Sequence, residues 1–446
     1  MDHPYVIAVV GGACAGSEIA AELVKAGQEV IVIEQNPLPY GKIEDGLPRW
    51  HVKLQKKECN AIDAKLDNPK IHFIPNCKLG VDLDLDELTD VWGVSMVVMA
   101  SGAWRDRPLQ AKGADGVLDG SLVYQNALVY WFNHYHEPNY QGPTFNLPPS
   151  PVIIGGGLAS IDVAKICQFE QVRNALLARG YEADIVEMEH YGIAKVAEKA
   201  GFSLEDLNLT PARLFYRKRV IDMPLVPLPE DPPPEKLAKA ELVRTKLINN
   251  ATSRYGFEVH PLRATEEIHT ENGKITGVTF RINTFQDGRF VDTGERERVA
   301  TNMVISSIGS IPQPIKDIPM DGELYSWEDR YTGQLSGRPG IYCVGNAITG
   351  KGNIKDSAKN ARRLGAVISA GLDGLEPDYA ALFATRQNEA REHVNRLLSY
   401  ISQMPAPDPT HRAILFQRVM ELQADRGYNG DYGAWRDHVL EQRWRT

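Results

Sequence analysis

The stretch YVIAVVGGACAGSEIAAELVKAGQEVIVIE (residues 5–34) decides the fold class of this chain. Its first six residues form a short apolar run, typical of a buried parallel strand, that leads directly into glycines. Apolar residues at helical spacing follow and stop at Gly27, a usual helix C-cap. A second apolar run at 29–33 ends at Glu34. Strand, helix and strand predict a βαβ unit and therefore an α/β fold.

The segment GGACAG at 11–16 is a variant of the GxGxxG loop, with Ala13 in the second glycine position. In this motif the glycines permit a tight turn, close approach of a pyrophosphate and close packing of helix on strand. Glu34 follows at the end of the second strand, where a carboxylate accepts a hydrogen bond from a ribose hydroxyl. The set predicts a dinucleotide site; the alternative is a crossover whose glycines serve packing alone.

A second strand-loop-helix pattern begins at 152–154 and continues as Gly155-Gly156-Gly157-Leu158-Ala159-Ser160. Ser160 occupies the third glycine position, which predicts a helix set slightly away from the strand. Two loops of this kind in one chain favour one flavin and one nicotinamide dinucleotide. The alternative is a second α/β turn without a ligand.

The type of nicotinamide dinucleotide depends on the end of the next strand. Glu187 and Glu189 would suggest NAD, but they fall in a predicted helical insertion at about 185–207. After the postponed strand at 213–216 comes Arg217-Lys218-Arg219, and guanidinium groups suit a 2′-phosphate. The sequence favours NADPH; the alternative is a solvated basic turn.

Composition limits the function classes further. The 446 residues carry 49 Lys+Arg against 58 Asp+Glu, a net charge of −9, which argues against nucleic acid as a partner. No apolar run reaches the roughly 18 residues that span a bilayer, so we expect no membrane segment. The N-terminus lacks the features of a signal peptide, which predicts a cytoplasmic protein.

The five cysteines, at 14, 59, 77, 167 and 343, are scattered along the chain. They contain no CxxC, which argues against a disulfide relay, an iron–sulfur cluster and a zinc ribbon, so we predict no metal. A reduced flavin would then discharge to a separate acceptor.

Several motifs in order resemble the adrenodoxin-reductase type of ferredoxin–NADP reductase and the related small subunit of glutamate synthase. The resemblance covers roughly residues 1–370. Its motifs are the two glycine loops, PLPYGKIEDGLPRWHVK, MASGAWRDRPL, YQNALVYWFNHYHE, YRKRVIDMP, SSIGSIP and IYCVGNAITGKGNI.

This resemblance implies two cofactors and the residues that hold them. The FAD residues are Gly11, Ala13, Cys14, Ala15, Gly16, Glu34, Gln35, Gly41, Lys42, Ser101, Gly102, Gly345, Asn346, Gly352, Asn353 and Ile354. The NADPH residues are Gly155, Gly157, Leu158, Ala159, Arg217 and Arg219. Asn346 stands where adrenodoxin reductases carry Trp, and the insertion and the tail after 372 are further departures.

The implied fold is α/β, with two Rossmann-like nucleotide-binding domains in three layers and a helical C-terminal extension. The expected FAD domain comprises 1–120 and 321–372. The expected NAD(P)H domain comprises 121–320, and the extension comprises 373–446.

The implied activity is hydride transfer from NADPH to FAD, then electron transfer to a ferredoxin-like protein, or the reverse. The flavin carries this chemistry, so no catalytic side chain is required; His51 and Lys53 are candidates for proton or charge partners. Cys14 could be an activated thiol, but a buried packing residue is favoured. The alternatives are direct action on a small molecule, a subunit of a glutamate-synthase-like complex, or a non-enzymatic FAD protein.

An acidic carrier would need a basic docking patch, for which Lys351, Lys355, Lys359 and Arg363 are candidates at helical spacing. The alternative is a solvated helix face. The tail at 373–446 holds nine arginines, no lysine and several aromatic residues, a composition typical of interfaces. We expect packing on the FAD domain or a homodimer contact there.

Overall fold

The computed structural model describes residues 4–138, 140–226, 228, 232–329, 331–345, 379–404 and 408–445. The strands are β1 Val6–Val10, β2 Glu29–Ile33, β3 Ile71–Ile74, β4 Met96–Met99, β5 Arg105–Asp106, β6 Leu122–Tyr124, β7 Val152–Gly155, β8 Arg213–Tyr216, β9 Glu258–Pro261, β10 Arg263–Glu271, β11 Lys274–Gln286, β12 Arg289–Ala300, β13 Val304–Ser307, β14 Ser310–Ile311, β15 Met320–Asp321, β16 Leu324–Tyr325, β17 Trp327–Asp329, β18 Gln334–Leu335 and β19 Ile341–Cys343. The helices are α1 Cys14–Lys25, α2 Lys42–Asp45, α3 Val52–Leu66, α4 Gln125–His134, α5 Leu158–Leu177, α6 Ile185–Tyr191, α7 Ile193–Lys199, α8 Pro234–Tyr255, α9 Tyr379–Ile401, α10 Pro409–Asp425 and α11 Tyr432–Arg445.

The first layered unit is built on a seven-stranded sheet in the order β17-β18-β19-β4-β1-β2-β3. Its strands β19, β4, β1, β2 and β3 are parallel. Side chains alternate between two apolar cores along β1: Ile7 and Val9 face one core, while Val6 and Ala8 face the other. Cores on both faces make this unit three-layered, as the parallel-strand pattern predicts.

The second unit is built on a parallel five-stranded sheet in the order β6-β13-β7-β8-β9. One face packs on α4, α5 and α8 through a core that includes Ile153 and Leu214. The other face is covered by the antiparallel sheet β10-β11-β12, whose Phe280 stacks on Phe215 with ring centroids 4.2 Å apart. Strands β10 and β11 of this sheet are antiparallel and are joined by a tight turn at Asn272-Gly273.

The C-terminal helices belong to the first unit and contribute to both of its cores. Val394 and Leu397 of α9 and Tyr432 of α11 pack in the core beside α1. Leu415 and Val419 of α10 pack in the core on the opposite face of the sheet. The tail therefore packs on the unit that contains the first glycine loop.

The helical insertion also lies where the sequence predicts it. Helices α6 and α7 occupy 185–199, a short 3₁₀ turn follows at Glu205–Leu207, and β8 returns to the sheet. No helix within the described ranges is long and apolar enough to cross a membrane.

We predict that Leu397→Ala, which empties a fully buried site, lowers the free energy of unfolding by about 2–5 kcal/mol. Met420→Ala in the same tail is the control, because Met420 is 60% exposed and its loss changes stability by about 0.5 kcal/mol or less. Urea unfolding of the purified variants measures both. Equal losses in the free energy of unfolding for the two variants would contradict a structural role of the tail in this core.

Candidate nucleotide sites

An open cleft of about 820 Å³ lies at the carboxyl ends of β1, β2 and β4. In open parallel sheets, ligands bind outside this edge. Seven predicted FAD residues line the cleft: Gly11, Ala13, Glu34, Gln35, Gly41, Ser101 and Gly102. The structure thus brings together residues from four separate segments of the sequence.

The first glycine loop allows helix α1 to approach the strands very closely. A Cβ atom at Gly16 would overlap the carbonyl oxygen of Gly11. Gly11 has φ +96°, and a Cβ there would lie 2.8 Å from the oxygen of Ala100. Only glycine fits both positions, so this loop presents bare backbone at the N-terminus of α1, which suits a pyrophosphate.

Glu34 is buried and lies against the glycine loop. Its carboxylate accepts hydrogen bonds from the backbone N–H of Gly12 at 2.9 Å and of Asn36 at 3.0 Å. Burial raises the pKa of Glu34 to about 7, although these N–H groups lower it. An ionised carboxylate has about four acceptor sites, so Glu34 keeps capacity for a ribose hydroxyl.

Lys42 connects the two units instead of extending into the cleft. Its Nζ donates to Asn126 Oδ1 at 3.0 Å and to Ser310 Oγ at 2.9 Å. Burial lowers the pKa of Lys42 to about 8, while Asp106 raises it. Lys42 therefore holds the loop that begins at Gly41 against α4 and β14.

The remaining predicted FAD residues divide into two groups. Cys14 and Ala15 begin α1, and burial raises the pKa of Cys14 to about 12, which supports a packing role for that thiol. Gly345 lies beside this helix start, where a Cβ would be 3.9 Å from that of Ala15. Asn346, Gly352, Asn353 and Ile354 lie outside the described residues, as does the basic patch Lys351, Lys355, Lys359 and Arg363.

The second glycine loop joins β7 to α5 by a different contact. Ser160 is fully buried, and its hydroxyl donates to the carbonyl oxygen of Ser307 at 2.9 Å. A Cβ at Gly156 would overlap the ring of Tyr216. Gly157, Leu158 and Ala159 form the start of α5, so its first N–H groups lie at the carboxyl edge of the second sheet.

The basic loop after β8 carries one exposed and one paired arginine. Arg217 is exposed and forms no ion pair with any acidic side chain in the part of the chain described. Arg219 is bound edge-on by Asp222, with Nε 2.7 Å from Oδ2 and Nη2 2.9 Å from Oδ1. The two predicted NADPH arginines are therefore in different electrostatic states.

The acidic candidates for NAD do not lie at the end of β8. Glu189 is buried in α6, where its Oε1 pairs with Lys165 Nζ at 2.8 Å. Glu187 pairs with Lys199 on the surface at 2.7 Å. This agrees with their assignment to the insertion.

His51 and Lys53 have opposite surroundings. Lys53 is exposed. His51 is buried, with Nε2 3.8 Å from Asp162 Oδ2, and its ring meets that of Tyr379 edge-on at 5.2 Å. Burial opposes ionisation of Asp162, but His51 and the charge of Lys165 hold its pKa below the usual range. His51 follows the loop beside the first glycine motif, and Asp162 lies one turn into α5. Their contact therefore joins the segments that carry the two nucleotide loops.

Sequence reasoning missed several residues of these sites. Lys78, Leu79 and Val81 line the cleft, as do Gln313 and Lys316. The first three follow β3, whose end lies at the same edge as the ends of β1 and β2, so strand order was the available signal. Asp162 and Tyr379 carried no recognisable signal.

The first loop fits FAD on two observations, the bare backbone at Gly11 and Gly16 and the buried carboxylate of Glu34 in the cleft. Among the described residues, no group of three or more His, Cys, Asp or Glu side chains could hold a metal ion.

Comparison with known proteins finds relatives among the NADPH-dependent reductases. No family model matches the chain. Mitochondrial NADPH:adrenodoxin oxidoreductase of Arabidopsis thaliana is 26% identical over 381 residues, covering 77% of each chain. NADPH-ferredoxin reductase FprA of Mycobacterium tuberculosis is 26% identical over 370 residues, covering 77% of this chain and 78% of FprA. This chain is similar to adrenodoxin-reductase-type ferredoxin–NADP reductases.

The solved structure of Mycobacterium tuberculosis FprA in complex with NADPH shares the fold, with a TM-score of 0.66 and 20% identity. The match covers 94% of this chain and 91% of FprA, which is more than residues 1–370 alone. The resemblance in fold therefore extends into the C-terminal helices.

We predict that Gly16→Ala abolishes flavin binding and costs about 3 kcal/mol of stability, because its Cβ overlaps the backbone of Gly11. Gly157→Ala is the matched control in the second loop, since its Cβ meets no atom within 4 Å. Flavin absorbance per chain and thermal unfolding measure both variants. A flavin-loaded Gly16→Ala protein would contradict this site.

Proposed function

We propose that this chain is an FAD-dependent oxidoreductase that oxidises NADPH and passes electrons to a ferredoxin-like protein, or runs this transfer in reverse. The observation that carries the proposal is the cleft at the first glycine loop, with a second strand-loop-helix site on the other sheet. Relatives named as NADPH:adrenodoxin oxidoreductase and NADPH-ferredoxin reductase support it. The absence of a CxxC favours an external acceptor.

The chain's own residues bind and orient the cofactors in this proposal. The N–H groups at the start of α1 receive the FAD pyrophosphate, and Glu34 accepts from its ribose. The start of α5 receives the NADPH pyrophosphate, and the basic loop receives the 2′-phosphate. When bound, FAD would supply the redox chemistry, namely acceptance of a hydride and release of single electrons.

His51 has a positioning role in this proposal, because it joins the loop beside the FAD site to Asp162 on the helix of the NADPH site. The boundaries 1–120 and 321–372 for the FAD domain, 121–320 for the NADPH domain and 373–446 for the extension are part of the proposal. A cytoplasmic location and a homodimer also stay predictions.

Anaerobic titration of the purified flavoprotein tests the function. NADPH should bleach the flavin absorbance, NADH should do so less effectively, and an oxidised ferredoxin should restore the absorbance. Bleaching without transfer to any ferredoxin would favour a small-molecule substrate or a missing subunit. No bleaching by either nucleotide would contradict the assignment of the second loop.

We predict that Arg217→Ala lowers the affinity for NADPH roughly 10–100-fold, which is the effect of losing one charge-assisted hydrogen bond. The affinity for NADH should stay unchanged. Arg298→Ala is the control, because Arg298 is an exposed arginine on β12. It pairs with Thr279 and lies far along the strand from the turn that joins β11 to β12 after Gln286. Initial rates against each nucleotide give the KM values. Equal losses for NADPH and NADH would refute a 2′-phosphate contact.

A further inference from the structure

The edge of the Arg219 guanidinium is occupied by a neighbouring acid. Asp222 binds Nε and Nη2 through both carboxylate oxygens and also accepts the backbone N–H of Arg219 at 3.2 Å. The two side chains are 33% and 23% exposed, so water reaches this pair only in part. The positive charge of Arg219 is thus largely cancelled before any ligand arrives.

The same guanidinium also contacts the tip of the β11–β12 hairpin. Phe285 lies at the end of β11 with its ring centroid 3.8 Å from Arg219 Cζ, and Phe290 on β12 contacts Phe285 at 4.9 Å between centroids. Lys218 Nζ lies 5.5 Å from the Phe290 ring. Asn283 Nδ2 on β11 donates to the carbonyl oxygen of Arg217 at 3.0 Å, which attaches the hairpin to the basic loop.

We propose that Asp222 and Phe285 determine how strongly this chain prefers a nucleotide with a 2′-phosphate. Phe285 positions Arg219, and Asp222 weakens the attraction of the basic loop for that phosphate. The inference deepens the proposed NADPH function and rests on it.

The signs of the two effects follow from charge. Arg217, Lys218 and Arg219 provide three positive charges, and Asp222 places one negative charge among them. A phosphate dianion bound to Arg219 would lie close to this carboxylate and be repelled. An amide at 222 keeps the shape and an acceptor oxygen for the backbone N–H of Arg219, and frees the guanidinium for the phosphate.

The aromatic contact acts in the opposite direction. Because the Phe285 ring lies 3.8 Å from Arg219 Cζ, it restricts the side chain of Arg219 and lowers the entropy lost when the phosphate binds. Leucine at 285 keeps an apolar side chain at the hairpin tip but removes the ring. Phe285 is 37% exposed, so this change leaves the core intact.

Calorimetric titration of the flavin-loaded protein with adenosine 2′,5′-bisphosphate and with adenosine 5′-monophosphate tests the inference. Asp222→Asn should raise the affinity for the bisphosphate about 3–10-fold, and Phe285→Leu should lower that affinity about 3–10-fold. The monophosphate should bind all proteins equally. Glu187→Gln, which removes one carboxylate from the surface pair with Lys199, is the charge control and should change neither affinity.

The possible outcomes distinguish a failure of this inference from a failure of the proposed NADPH function. If the unmodified protein binds both probes equally, the NADPH assignment fails, and the inference fails with it. If the unmodified protein prefers the bisphosphate but Asp222→Asn lowers the affinity for it, then Asp222 holds Arg219 in place for binding. That result overturns the inference alone. Should Asp222→Asn fold poorly, an unchanged bisphosphate affinity in Phe285→Leu overturns the positioning role by itself.

Discussion

The arrangement of the second unit depends on the neutralisation of one buried ammonium group, that of Lys165. This side chain is 1% exposed, and its Nζ lies 2.8 Å from Glu189 and 3.7 Å from Asp162. The rings of Trp50 and Tyr255 lie 4.8 Å from the same atom. Removing one partner of a buried ion pair typically costs about 3–5 kcal/mol, so α6 must stay packed on α5. This gives the helical insertion a structural role and removes Glu189 from ribose binding.

The same cluster joins segments that are far apart in sequence. Asp162 accepts a hydrogen bond from the hydroxyl of Tyr379, the first residue of α9, and faces His51 beyond α2. The loop near the FAD cleft, the helix of the second nucleotide loop and the C-terminal helices therefore meet at one carboxylate. A shared buried contact of this kind restrains how the elements that carry the two glycine loops lie relative to each other.

The sequence predicted the parts of the site that depend on local backbone geometry. The loop at Gly11–Gly16 and the strand ending at Glu34 each follow from a few adjacent residues, because turns and close approaches restrict residue type locally. The pairing of Arg219 with Asp222, the stacking of Phe285 and the packing of Leu397 beside α1 depend on contacts across the fold. Periodicity carries no information about such partners. The sequence therefore predicted a basic loop for phosphate but not its partial neutralisation.

The two glycine loops achieve close packing of helix on strand by different contacts, and this difference affects the ligand. At the first loop, bare glycine at position 16 meets the backbone of Gly11, and the side chains of Val32, Glu34 and Pro39 lie around Gly12. At the second loop, the Ser160 hydroxyl ties α5 to β13, and the ring of Tyr216 lies over Gly156. The hydroxyl of Tyr216 donates to the carbonyl oxygen of Asp222 at 3.0 Å. A dinucleotide that approaches Gly156 must therefore contact or move a ring attached to the residue that neutralises Arg219. In the proposed function, the side chain that a pyrophosphate meets at the second loop is therefore hydrogen-bonded to the residue that pairs with Arg219.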